Sequence, residues 1–112
     1  MLIRQAELYY ADLNPVKGTE QGGLRPVLVI SGNTLNTYMD ICIICPLTTK
    51  IKNFHGCLVL KKNKENKLKT DSEVLTFQIR TISKDRLVKK IGNITAKELE
   101  QIRVYLNEIL TL

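Results

Sequence analysis

Residues that most often mark a site by themselves are scarce in this 112-residue chain, which has no tryptophan, one histidine, three cysteines and an aromatic fraction of 5%. A single imidazole, His55, excludes any scheme in which two histidines share general acid and general base work. It stands in a polar stretch after Asn53-Phe54 and before Gly56, and reads as an exposed loop residue. The odd set Cys42, Cys45 and Cys57 does not suggest a disulfide framework, which fits a reducing compartment. Cys42 and Cys45 lie three apart in a segment that reads as a strand, where such residues point to opposite faces. No metal site and no cofactor are therefore expected. No apolar run approaches the ~20 residues that span a bilayer. Arg4 and Glu7 interrupt the N-terminal segment where a secretory signal needs continuous apolar character, so the expected compartment is the cytoplasm.

What is present suits one compact core. The length predicts a single domain over residues 1–112, because each half of a two-domain chain would have too little apolar area to fold alone. A hydrophobic fraction of 44% beside 25% charged residues excludes the composition of a disordered chain. Seventeen Lys plus Arg against eleven Asp plus Glu give a net charge of +6, which favours encounter with a polyanion. Lys61, Lys62, Lys64, Lys67 and Lys69 crowd one polar stretch, and these five read equally well as a solvated loop.

Strand formers from Ala6 to Leu13 predict a first strand that Asn14-Pro15 stops. The glycine-rich Val16 to Leu24 is a loop that returns to the sheet at Arg25, with Pro26 at the start of the next strand. Val27-Leu28-Val29-Ile30 is an unbroken apolar run suited to a strand buried on both faces, at the centre of the sheet. A turn around Ser31-Gly32-Asn33 leads to a second buried strand, Ile41 to Leu47, closed by Pro46 and delivering Thr48 and Thr49 past its end. A short strand follows at Cys57 to Leu60. Val74 to Ile82 reads as one long strand with Gln78 and Arg80 on the same side, and Leu87 to Ile91 as a further strand or a helical turn. Thr95-Ala96-Lys97-Glu98 is a capping box, which starts a helix whose stripe of Leu99, Ile102, Leu106, Ile109 and Leu110 is expected to pack on the sheet. Six or seven short strands and one C-terminal helix predict an α+β fold, a curled antiparallel barrel with a helix laid against it.

The stretch Asp12-Leu13-Asn14-Pro15, Gly18, Glu20-Gln21-Gly22-Gly23, Arg25-Pro26-Val27-Leu28-Val29-Ile30 resembles the N-terminal signature of the MazF/PemK toxins. Pro46-Leu47-Thr48-Thr49 resembles that family's strand-end threonine motif, and Gln78-Ile79-Arg80-Thr81-Ile82 its Gln-x-Arg-Thr-Ile strand, in the same order along the chain. The resemblance covers nearly the whole sequence. It implies an SH3-like barrel of the CcdB/MazF/PemK kind, a homodimer, and the toxin of a type II toxin–antitoxin system that cleaves single-stranded mRNA at short sequences. It further implies a small acidic antitoxin as partner, with DNA binding in that partner's company.

The family's catalytic arginine and threonine fall on Arg25 and Thr48. The chemistry agrees: attack by the substrate's own 2′-hydroxyl on the adjacent phosphate builds a dianionic, five-coordinate transition state that needs donors at phosphate. A guanidinium offers a rigid fork matched to phosphate oxygens, and a threonine adds a hydroxyl donor. Glu20, in the loop before Arg25, is expected to pair with and orient that arginine, or to take the 2′-hydroxyl proton. Many relatives carry an acid immediately before the glutamine, where this chain has Phe77, and some carry a histidine where it has Thr19. The base is thus Glu20, a water or the substrate itself. Thr19, Gln21, Lys17, Thr49, Lys50, Lys52, Gln78 and Arg80 are the expected RNA contacts, and Phe54 and Tyr38 can stack on bases. Two other readings fit the same barrel: a CcdB-like gyrase poison that cuts nothing, and a nucleic-acid-binding barrel without catalysis.

Overall fold

The structure is a computed structural model that describes residues 2–111; Met1 and Leu112, the two ends of the expected 1–112 domain, lie outside the described residues. The strands are β1 (Glu7–Asp12), β2 (Leu24–Val29), β3 (Ile41–Thr48), β4 (Leu58–Leu60), β5 (Ser72–Val74), β6 (Arg80–Ser83) and β7 (Leu87–Asn93). Helices are α1 (Asn33–Tyr38) and α2 (Ala96–Thr111), with 3₁₀ turns at Thr76–Gln78 and Lys84–Arg86. The strands form an antiparallel sheet in the order β4-β5-β3-β2-β1-β7, curled into a half-barrel, with β6 paired to β3.

Alternation along the strands sorts side chains into two apolar clusters. Tyr9, Ala11, Val27, Val29, Cys42 and Ile44 enter one, and Leu8, Leu28, Cys45 and Leu47 enter the other. Cys42 and Cys45 thus lie in different clusters, on opposite faces of β3. The unbroken apolar run of β2 follows from the same fact, since Val27, Leu28 and Val29 are each fully buried. The second cluster takes Leu99 and Ile102 from α2.

That helix begins as the capping box requires. Thr95 N–H donates to Glu98 Oε1 at 2.8 Å, and Glu98 N–H donates to Thr95 Oγ1 at 3.1 Å. Its apolar stripe packs only in part: Leu99 and Ile102 are buried and Leu106 half-buried, whereas Ile109 and Leu110 are exposed, the latter by 77%. The expectation that the whole stripe packs on the sheet is corrected accordingly, because the last turn of the helix contributes nothing to either cluster.

Three further expectations change. Residues 31–33 are not merely a turn: α1 follows directly, and the buried Asn36 ties it down by donating from Nδ2 to the Ser31 carbonyl at 2.9 Å. Pro46 does not close β3 but lies inside it, and Thr48 is the strand's last residue. Most consequential, Val74 to Ile82 is not one strand. β5 pairs with the end of β3 (Leu47↔Val74, Thr48↔Glu73), and β6 pairs with its beginning (Ile44↔Arg80, Ile41↔Ser83). Between them the chain leaves the ladder in the 3₁₀ turn that carries Phe77 and Gln78. Leu87 to Ile91 resolves as strand, within β7.

Candidate functional site

The glycine-rich segment is the loop of the β1–β2 hairpin, closed by Asp12↔Leu24 and by a bond from Leu13 N–H to the Gly23 carbonyl at 3.0 Å. Two of its glycines are required by geometry. Gly23 has φ +76°, a left-handed conformation that costs a side-chain-bearing residue energy. Gly18 is likewise left-handed, at φ +58°, whereas a Cβ at Gly22 would press on the side-chain ends of Val16 and Asn14 at 2.9–3.0 Å. The consequence is local and chemical: the Gly22 carbonyl accepts from Arg25 Nε at 2.8 Å, while the Leu47 carbonyl accepts from Arg25 Nη1 at 3.1 Å.

The strand ladder explains the second contact. β2 pairs with β3 from Val27↔Pro46 onward, and continuing that register places position 26 opposite 47 and position 25 opposite 48. Proline has no N–H, so Pro26 cannot extend the ladder toward β3, and the Leu47 carbonyl takes the guanidinium instead. Arg25 and Thr48 thereby meet in one cleft of about 380 Å³, lined also by Gln21, Leu47, Thr49, Lys50 and Ser72. Burial lowers the Arg25 pKa, but an arginine remains a cation at neutral pH. Thr48 Oγ1 accepts from Lys50 N–H at 3.2 Å, the turn-forming bond of a strand-end threonine, and its own hydrogen stays available to donate.

A second cleft of about 360 Å³ is lined by Thr19, Glu20, Phe77, Gln78, Ile79 and Arg80. Gln78 ties it to the glycine-rich loop: its Oε1 accepts from Gln21 N–H at 3.0 Å and its Nε2 donates to the Thr19 carbonyl at 3.1 Å. The Gln78 amide therefore positions the loop; it shares the cleft with Arg80, but from a 3₁₀ turn and not from the expected common strand. Arg80 opens β6 and is half-buried; the ion pairs among the described residues are Lys90–Glu7 and Arg103–Glu100, and neither involves it.

Glu20 requires a correction. Its Oε1 accepts from Lys17 N–H at 2.6 Å and it lines the second cleft, while Arg25 is oriented by two carbonyls. The reason is the tight turn over residues 17–20, also held by Glu20 N–H on the Lys17 carbonyl, which satisfies the carboxylate locally. Lys17 and Lys52 are exposed beside the clefts but line neither, and His55 is exposed. The five lysines of residues 61–69 line neither cleft; they ring a loop built on the buried Asn66, whose Oδ1 accepts from Asn63 and Leu68 N–H groups at 3.0 Å each.

Two residues that sequence reasoning passed over shape the site. Ser72 lines the Arg25 cleft. Glu73 is fully buried, and its two oxygens accept from Lys52 N–H and Phe54 N–H at 2.9 Å each, fastening the loop that follows Thr48. An acid inside a Ser-Glu-Val strand was the available signal, since a strand buried on all sides admits a carboxylate only with partners.

The family model for the PemK-like, MazF-like toxin of type II toxin–antitoxin systems matches residues 4–110. The chain belongs to that family. A relative, Endoribonuclease MazF of Staphylococcus saprophyticus, is 37% identical over 103 residues, covering 90% of this chain and 85% of its own. Among solved structures, MazF of Deinococcus radiodurans superposes with a TM-score of 0.87 at 25% identity, covering 100% of this chain and 99% of the other. An endoribonuclease in complex with its cognate antitoxin, from a mycobacterial species, has the same fold, with a TM-score of 0.77 at 22% identity over 99% of this chain and 95% of the other. No helix of this family member is long and apolar enough, among the described residues, to cross a membrane.

Proposed function

We propose that this toxin is an endoribonuclease that cuts single-stranded RNA without a metal, by attack of the substrate's 2′-oxygen on the neighbouring phosphorus. The observation that carries the reading is the pair of main-chain carbonyls, from Gly22 and Leu47, that hold the Arg25 guanidinium in a cleft it shares with Thr48. Two of the five guanidinium N–H donors are spent on those carbonyls. The second hydrogen on Nη1 and both on Nη2 remain for the non-bridging phosphate oxygens. Charge grows on those oxygens as the 2′-oxygen bonds to phosphorus, so donors fixed beforehand stabilise the transition state more than the ground state. Thr48 donates its hydroxyl hydrogen to the same oxygens. The P–O5′ bond then breaks as the departing 5′-oxygen takes a proton from water, leaving a 2′,3′-cyclic phosphate upstream and a 5′-hydroxyl downstream. With Glu20 engaged by Lys17 in the second cleft, the 2′-hydroxyl proton passes to water or to a phosphate oxygen.

Gln21, Thr49 and Lys50 line the Arg25 cleft, while Thr19 and Arg80 line the second, so a single strand laid across both meets donors along its backbone. Lys17 and Lys52 act at longer range, through charge. The family resemblance supports a homodimer and an antitoxin partner, and the +6 charge suits an acidic one. The test is to incubate the protein with a long single-stranded RNA in EDTA and map the ends. Cuts at a short recurring sequence with 5′-hydroxyl products are expected, as is a loss of about 10²–10³ in rate for Arg25→Ala. A wild-type protein that inhibits gyrase and leaves RNA intact, or an Arg25→Ala variant cutting at the wild-type rate, sinks the reading.

A further inference from the structure

Phe54 and Phe77 come from different segments, yet their ring centroids are 5.2 Å apart with the planes inclined by 59°. Both stay open to solvent, at 43% and 47% exposure. Two adjoining phenyl rings left nearly half exposed are an apolar surface that folding has not used. A purely structural role, stapling the loop after β3 to the 3₁₀ turn, is already served: Thr76 of that turn donates from Oγ1 to the loop's Gly56 carbonyl, and the buried Glu73 carboxylate ties the loop to β5 through the amides of Lys52 and Phe54. The rings are also well placed. Phe77 lines the second cleft beside Arg80, and Phe54 belongs to the loop that begins with Lys50, which lines the Arg25 cleft.

We propose that Phe54 and Phe77 form a stacking platform for one unpaired RNA base next to the scissile phosphate, resting on the ribonuclease reading above. Aromatic faces accept any base through stacking, and a platform flanked by Arg80, Lys50 and Lys52 matches a nucleotide, which pairs a flat apolar base with an anionic phosphate. An acidic side chain at position 77 would repel that phosphate. Phe77 converts the position into a base contact and thereby a determinant of which RNA word is held.

The experiment first maps the word cut by wild type, then measures binding of an oligonucleotide carrying that word with a 2′-deoxy sugar at the scissile position. A series with an abasic site at each position in turn accompanies it. Phe77→Ala is expected to weaken binding about tenfold, within the range of one lost base stack. One abasic position beside the cut should cost wild type a similar factor and cost Phe77→Ala nothing more, while Phe77→Tyr restores binding. If Phe77→Ala proves unfolded, Phe54→Ala and Phe77→Leu carry the same coupling test. Wild-type affinity in Phe77→Ala, or in Phe54→Ala and Phe77→Leu where they stand in for it, losses that multiply at every abasic position, or a change in sedimenting mass with RNA affinity intact each overturns the platform alone. A wild-type protein that neither cuts nor binds the RNA overturns the ribonuclease reading and the platform with it.

Discussion

The two clefts are joined through one loop but built on different principles. In the first, Arg25 is held by main-chain carbonyls, and Thr48 reaches it through the continued register of two paired strands. In the second, side chains from a hairpin loop, a 3₁₀ turn and the start of β6, with Thr19, Glu20 and Phe77 exposed, are gathered by a single amide, that of Gln78. The Leu47 carbonyl belongs to a paired strand and that of Gly22 to a loop closed against it, both costly to move, whereas exposed side chains change without disturbing a core. The difference separates a cleft that fixes donors for a reaction from one whose chemistry is set residue by residue.

The largest test of this contrast is Arg25→Lys. An ammonium has no planar fork with which to hold two carbonyls and still grip phosphate, so its cleavage rate is expected within about tenfold of Arg25→Ala; near-wild-type turnover would mean that charge, not the carbonyl-held geometry, is what the first cleft provides. Next comes Thr48→Val, for which a loss of about tenfold matches one hydrogen bond, with Thr48→Ser close to wild type. Equal losses in both would point to packing instead of the hydroxyl. In the second cleft, Glu20→Gln is expected to change the rate by less than about threefold, since a general base is worth 10²–10⁴, and to leave the pH–rate profile in place. Loss of an acidic limb in that profile would restore Glu20 as the base and blur the division between the clefts.

The smallest effect on cleavage is expected far from both. Glu7 is buried; its desolvation alone would raise its pKa, but Lys90 at 2.7 Å and hydrogen bonds from Arg4 N–H and Tyr9 Oη outweigh that and hold it below its ordinary 4.5. A lowered folded-state pKa stabilises the fold above the unfolded value and loses that contribution as pH falls through it. The melting temperature of wild type should therefore drop more steeply than that of Glu7→Gln below about pH 4.5. Parallel curves would show that the cluster contributes nothing to acid stability.

Several parts were legible because their causes are local. The Thr95/Glu98 capping box, the buried run of β2, the strand at β3 and the loop that presents Arg25 each follow from neighbours within a few residues. What escaped was non-local. Glu20 lies five residues from Arg25 and was the obvious partner, yet the carbonyl that holds the other end of the guanidinium comes from Leu47, on another strand. The break between β5 and β6 was invisible for a similar reason: Thr76-Phe77-Gln78 has good strand formers, and only the bonds from Gln78 to Gln21 and Thr19 reveal what the turn does.

By itself, the order of residues determined an α+β chain with a curled antiparallel sheet, a C-terminal helix starting at its capping box, and a glycine-rich loop ahead of Arg25, because periodicity, capping and turn chemistry act over short spans. Tertiary structure alone decided that Arg25 faces Thr48, that Glu20 turns away to Lys17, and that Phe54 meets Phe77. Strand register and loop closure set those neighbours, and both depend on which distant segments pair, which no local pattern encodes.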